Sequence, residues 1–214
     1  MLGRIFIVCG CVFVLSGCMY KEEPLPKITN DYRLNEVVEP EVVKPTTVQP
    51  SVAGVPRDWQ PLSYLEKNWT AVVIHHSGTR GGNATIFDKW HREGNHWEGV
   101  GYDFVIGNGT DSRDGQVEVT FRWRNQQTGA HCGGTPGNWA NKDGIGICLV
   151  GDFNQSVPSY GQMQSLAKLV CFLQSQFGIS KGRIYGHRTT PGAGITDCPG
   201  KNFPMAKLKS MVND

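Results

Sequence analysis

Apolar residues recur along this chain in three spacings, and each spacing predicts a different element. Ala71-Val72-Val73-Ile74-His75 is an unbroken apolar run of strand length, which predicts a buried strand, and Tyr102-Asp103-Phe104-Val105-Ile106 predicts another. A further strand is expected from Ile145 to Val150. Asn108-Gly109-Thr110-Asp111 carries turn chemistry, and residues 116–121 alternate polar and apolar like the return arm of a hairpin. Between the first two strands, residues 85–93 place Ile86, Lys89 and Trp90 at helical spacing, with Asn83 or Thr85 available as the cap. Met163, Leu166, Leu169, Val170, Leu173 and Phe177 form a 3–4 apolar stripe that Gly178 stops. Helices thus alternate with strands, and the expected fold class is α/β: a mixed central β-sheet flanked by helices in one domain.

The N-terminal quarter follows neither period. Arg4 precedes an apolar core from Ile5 to Leu15, so residues 1–18 read as an export signal. Leu15-Ser16-Gly17-Cys18 resembles the bacterial lipobox, which implies acylation of Cys18 and a membrane-anchored mature chain. Met19, rather than aspartate, follows that cysteine, which favours the outer membrane facing the periplasm. Residues 19–56 scatter Pro24, Pro26, Pro40, Pro45, Pro50 and Pro56 through a polar stretch and read as a disordered tether, spanning roughly 35 Å as a flexible coil. Residues 57–214 have globular composition and form the expected domain.

Composition narrows the function classes. With 39% hydrophobic residues in 214, the chain suits one domain with extra segments. A formal charge of +2 with 19% charged residues excludes the high-charge disordered class, and without a basic block no nucleic-acid partner is expected. One apolar stretch near the start excludes a multi-pass membrane protein. The domain is expected to be monomeric.

The chemistry concentrates in histidines and cysteines after residue 74. His75 follows Ala-Val-Val-Ile and His187 follows Arg-Ile-Tyr-Gly, so both stand at strand ends, where sites form readily. Cys198 lies eleven residues after His187, in Thr196-Asp197-Cys198-Pro199-Gly200, whose turn could present a thiolate. Two imidazoles and a thiolate make a zinc set with a fourth position open. The bland alternative is two satisfied strand-end histidines and a buried small residue. Cys148 and Cys171 read as core residues, and Cys132 as a thiol with no evident partner. His76 is expected to brace its neighbour, and His91 and His96 to be packing or surface residues. Trp97, Trp123 and Trp139 could stack on sugars or sit in the core.

An ordered set of motifs decides between these readings. Residues 72–79 (Val-Val-Ile-His-His-Ser-Gly-Thr), Gly101-Tyr102-Asp103-Phe104, Gly129-Ala130-His131, Asn141 before Gly144-Ile145-Gly146-Ile147, Leu149-Val150-Gly151, Gly186-His187-Arg188 and Cys198-Pro199-Gly200 occur in sequence. Together they resemble the zinc-dependent N-acetylmuramoyl-L-alanine amidases, the family of the amidase-type phage lysozymes and the animal peptidoglycan-recognition proteins, over about residues 60–210. The resemblance implies Zn2+ held by His75, His187 and Cys198 at the strand ends. It also implies Tyr102 as a catalytic residue facing the reacting centre, Thr196 as a hydroxyl for the developing oxyanion, and His131 and Asn141 as groove contacts to substrate. The His187–Cys198 interval is about three residues longer than in phage and animal members, with residues 191–194 absorbing the difference. A bacterial branch uses an aspartate before Pro-Gly as third ligand; here Cys198 holds that place, so it is preferred over Asp197. The implied reaction is hydrolysis of the bond between N-acetylmuramic acid and L-alanine in peptidoglycan. The alternatives are a non-catalytic peptidoglycan-binding lipoprotein, as in relatives that have lost the third ligand, and an amidase for small anhydro-muropeptides.

Overall fold

β1 (Ala71–His76) is the strand around which the sheet is laid. The computed structural model describes residues 54–61 and 67–214; the export signal, Cys18 and most of the tether lie outside the described residues. β2 (Phe104–Ile106), β3 (Val117–Val119), β4 (Gly144–Leu149) and β5 (Ile184–Gly186) complete a five-stranded sheet in the order β3-β2-β4-β1-β5. β1 is parallel to both β4 and β5, β4 is parallel to β2, and β2 and β3 form the expected antiparallel hairpin. The helices are α1 (Ala84–Asn95), α2 (Phe121–Arg124), α3 (Trp139–Lys142), α4 (Tyr160–Phe177) and α5 (Met205–Met211). The mixed sheet with flanking helices is the architecture predicted from the sequence.

Alternation along the strands separates two faces. Val72 and Ile74 join Phe104, Ile106, Ile145, Ile147 and Leu149 in the main core against Leu166, Leu169, Val170 and Leu173 of α4. Each such side chain, fully buried, contributes about 1.5–3 kcal/mol. α4 starts at a capping box, in which Ser159 Oγ accepts the Gln162 N–H and Gln162 Oε1 accepts the Ser159 N–H. It stops at Gly178, whose φ of 67° is the left-handed conformation that favours glycine. On the opposite face Val73 packs with Cys132 and Ala140, and Val105, Cys148 and Val150 pack with Phe87 of α1. His75, two residues beyond Val73, emerges on this second face.

Trp59 also belongs to the main core, and Trp123 Nε1 donates to its carbonyl at 2.8 Å, so the chain at Trp59 is packed into the domain. Asn83 is the α1 cap, its side chain accepting the Ile86 N–H at 2.8 Å. Two predicted strands are shorter than expected. β2 begins at Phe104, not Tyr102, because Thr120 Oγ1 donates to the Tyr102 carbonyl and the Thr120 N–H to the Asp103 carbonyl, outside the ladder. β3 ends at Val119 because Thr120 caps α2, accepting the Arg122 N–H. α2, α3 and α5 span four to seven residues, too few for an apolar period to show. Among the described residues no helix is long and apolar enough to cross a membrane.

Asp103 carries a pH-dependent term into this fold. It is fully buried: Oδ2 accepts the Gly146 N–H at 2.8 Å, and Oδ1 has no hydrogen-bond partner. Burial pushes its carboxyl up to about 7, against weaker opposing pulls from Lys67 and Arg122. The folded chain therefore keeps a proton that the unfolded chain sheds near 3.8, so this residue's contribution falls as pH rises from about 4 to about 7 and is level above that. Asp103→Asn keeps an acceptor for Gly146 and removes the titration. Between pH 5 and 8, urea unfolding should show the wild type losing roughly 2–3 kcal/mol relative to the variant. Parallel pH profiles for the two proteins would refute this assignment.

Candidate metal centre

The sheet register brings the two strand-end histidines to one edge. Ile74 pairs with Gly186 between parallel β1 and β5, so the next residues, His75, still paired with Cys148 of β4, and His187, just past the end of β5, stand at the same level. Their ring centroids are 4.7 Å apart. Cys198 returns to them because the Arg188 N–H donates to its carbonyl at 2.8 Å and the His76 N–H donates to its Sγ at 3.4 Å. Gly186 makes room for the turn behind it: a Cβ there would stand 2.8 Å from Pro199 Cδ. The loop before Cys198 is pinned to the 133–139 segment, since Trp139 Nε1 donates to the Pro191 carbonyl at 3.2 Å.

One donor atom from each of His75, His187 and Cys198 lies within 4.8 Å of the others. Cys198 Sγ is 3.5 Å from His75 Nδ1. Tetrahedral zinc at ordinary bond lengths holds nitrogen and sulfur donors roughly 3.3–3.8 Å apart, so this cluster could hold such an ion with small adjustments. His75 is buried and His187 and Cys198 are partly exposed, which leaves one side of the cluster open. Asp197 is exposed and lies outside the cluster.

Burial sets the protonation of these groups. It depresses the His75 pKa well below the ordinary imidazole value, helped by His131 and His187, and lowers that of His187. Both rings are therefore neutral at pH 7, with lone pairs free for a ligand. Burial pushes the Cys198 thiol up to about 12, so it keeps its proton until a cation displaces it.

Tyr102 stands beside the cluster, its ring centroid 5.2 Å from that of His75. Burial raises its phenol well above the usual range, so the hydroxyl keeps its proton at neutral pH and has it to donate, and it lies near the Cys148 thiol. Its backbone is held from several sides. Asp88 Oδ1 and His91 Nδ1, one turn apart on α1, accept the Val100 and Gly101 N–H groups at 2.8 and 3.0 Å. The Ala130 N–H donates to the Gly101 carbonyl at 2.9 Å. His91 is thus more than a packing residue; periodicity places it on α1, but nothing local to it shows a contact ten residues away. Thr196 lies beside the cysteine and accepts the Cys198 N–H at 3.1 Å through Oγ1, leaving its hydroxyl proton free to donate.

His131 and Asn141, expected as groove contacts, are both buried. Asn141 Oδ1 accepts the N–H groups of His131 and Cys132, each at 2.8 Å, and its Nδ2 donates to Asn138 Oδ1 at 2.7 Å. His131 Nδ1 lies 3.1 Å from His75 Nε2, behind the cluster. His76 Nδ1 accepts the Phe153 N–H at 3.0 Å, tying β1 to the loop after β4. Trp123 is fully buried, whereas Trp97 is 41% exposed over the His91 ring. Cys132, Cys148 and Cys171 are buried free thiols.

The sequence model described as N-acetylmuramoyl-L-alanine amidase matches residues 65–201, which include all of these groups. The chain belongs to that amidase family. The fold it shares is that of the N-acetylmuramoyl-L-alanine amidase LysC from Clostridium intestinale, at a TM-score of 0.57 and 28% identity over 71% of this chain and 89% of LysC. Peptidoglycan-recognition protein 2 of Holotrichia diomphalia is 27% identical over 150 residues, 65% of this chain and 71% of its own. The ectodomain complex of peptidoglycan recognition proteins LCa and LCx, solved with tracheal cytotoxin bound, matches at a TM-score of 0.52 and 25% identity, over 64% of this chain and 78% of the other. The chain's relatives thus include N-acetylmuramoyl-L-alanine amidases and peptidoglycan-recognition proteins.

Proposed function

We propose that this protein is a zinc-dependent N-acetylmuramoyl-L-alanine amidase that hydrolyses the amide between the lactyl group of N-acetylmuramic acid and L-alanine in peptidoglycan. The observation that carries this reading is the cluster of His75, His187 and Cys198 with Tyr102 beside it, an amidase-type set complete in one open-sided site. Zinc bound there would supply Lewis acidity and an activated water to a scissile amide. Tyr102, kept protonated, offers a hydrogen bond to the carbonyl oxygen as negative charge develops on it. Thr196, whose Oγ1 accepts the Cys198 N–H, adds a second hydroxyl donor. Peptidoglycan as partner is supported by the relatives that carry its name and by the related complex with tracheal cytotoxin, a monomeric diaminopimelic acid-type peptidoglycan. A non-catalytic binding role is disfavoured because all three candidate ligands are present together.

The test is digestion of purified peptidoglycan and, separately, of anhydro-muropeptides by the detergent-solubilised, zinc-loaded chain, with products identified by mass. Release of free stem peptides beginning with L-alanine is expected. Retention on peptidoglycan with no release from either substrate would replace the amidase with a binding protein.

We propose further, from Leu15-Ser16-Gly17-Cys18 and the Met19 that follows, that Cys18 carries a lipid anchor at the outer membrane facing the periplasm, with residues 19–56 as tether. Wild-type protein should partition with membranes and carry label from a fatty-acid precursor, and Cys18→Ala should lose that label. Unlabelled wild-type protein in the soluble fraction would exclude the anchor.

A further inference from the structure

Behind the metal cluster lies a chain of hydrogen bonds that ends on a backbone carbonyl. His131 Nε2 is 3.2 Å from the Gly144 carbonyl oxygen, and His131 Nδ1 is 3.1 Å from His75 Nε2. A carbonyl can only accept, so the hydrogen in the first contact belongs to His131 Nε2. In a neutral ring Nδ1 is then a lone pair, and the hydrogen in the second contact must come from His75 Nε2. That leaves His75 Nδ1 without a hydrogen, and Nδ1 is the atom 3.5 Å from Cys198 Sγ. We infer that His131 is a positioning residue that fixes His75 in the Nε2–H tautomer, so that Nδ1 faces the cation with its lone pair already exposed. The inference rests on the reading of His75 as a metal ligand.

The surroundings of His131 hold its ring in this place. Gly146, in the middle of β4, lies directly beneath it: a Cβ there would stand 2.6 Å from the ring Cγ. Gly129 lies beside it, where a Cβ would stand 2.5 Å from Cδ2. Asn141 fixes the backbone by accepting the His131 N–H, and the Asn141 carbonyl accepts the Gly129 N–H at 2.8 Å. A glycine in a central strand packs nothing and weakens the strand, which makes sense here because any side chain at 146 would expel the ring. Gly129, His131, Asn141, Gly144 and Gly146 thus act on His75 as one unit. A ligand locked in one tautomer and one ring orientation binds metal more tightly than one that must reorient.

Two variants and one direct observation test this. In metal-free, 15N-histidine-labelled full-length protein at pH 7.5, two-bond 15N–1H correlations should show His75 protonated at Nε2 and unprotonated at Nδ1. His131→Phe fills the ring space without an acceptor, and zinc affinity measured against a competing chelator should fall roughly 10–100-fold. His131→Gln can accept from His75 through Oε1 and donate to Gly144 through Nε2, so it should recover most of that loss and restore the Nε2–H signature. A His75 that is mainly Nδ1–H in the wild type overturns the inference, whether or not His131→Phe folds. So does a folded His131→Phe protein that binds zinc as tightly as wild type. A wild-type chain that takes up no zinc would instead remove the metal-site reading, with the His75 tautomer still deciding the role of His131.

Discussion

Cys198→Ser should yield a folded protein that no longer retains zinc through chelator dialysis and no longer releases stem peptide. The substitution changes one atom at a partly exposed position, and a serine oxygen can still accept the His76 N–H, so the turn should survive. What disappears is the one side chain of the described His75–His187–Cys198 cluster that can bring a negative charge to two neutral imidazoles. Metal assistance contributes several kcal/mol to the barrier, so turnover should drop by roughly 10³-fold or more. The wild type carries a second signature of the same chemistry. Its thiol holds a proton up to about 12 while both histidines are neutral, so zinc uptake near pH 7 should expel about one proton from Cys198. Affinity should then rise about tenfold per pH unit from pH 7 to 9, because the proton to be displaced becomes cheaper to remove. Full zinc occupancy with normal turnover in Cys198→Ser would exclude this cysteine as ligand and turn attention to Asp197.

The sheet and its two long helices were legible because their signals are local. β1 and β4 are apolar runs, α4 repeats its apolar residues every three or four positions, and Asn83 and Gly178 mark helix ends by their own side-chain chemistry. The candidate ligands were legible only as a resemblance, since nothing in the spacing of His75, His187 and Cys198 requires that they meet. Their meeting depends on the β1–β5 register, and the three-residue β5 has little pattern of its own. The supports of the site were less visible. His91 reaches the Gly101 N–H and Asp88 the Val100 N–H from a helix whose exposed face looks ordinary in sequence. His131 and Asn141 stand in recognisable motifs, but a polar residue in a motif reads equally well as a contact to substrate or to backbone. Only the two glycines that make room for the His131 ring, and the carbonyl that orders its tautomer, show which way it faces.

Tyr102→Phe should separate binding from turnover. The ring packs between those of His75 and His91, and phenylalanine preserves that packing. Near the hydroxyl lies the Cys148 thiol, a weak acceptor, so removal of the hydroxyl should cost less than about 1 kcal/mol of stability. No candidate ligand atom changes, and zinc content should equal that of the wild type. The backbone clamp formed by Asp88, His91 and Thr120 acts on residues 100–102 through main-chain atoms, so the phenyl ring should occupy the same place. What is lost is a donor whose worth increases as charge moves onto the carbonyl oxygen. Losses of this kind lower turnover by about 10²-fold or more while leaving ground-state binding nearly unchanged. The expected variant is therefore zinc-loaded, thermally similar to wild type, retained on peptidoglycan with unchanged affinity, and slowed chiefly in kcat. A rise in KM at constant kcat would make Tyr102 a binding residue, and unchanged kinetics would leave Thr196, the other hydroxyl at the cluster, to carry the oxyanion alone.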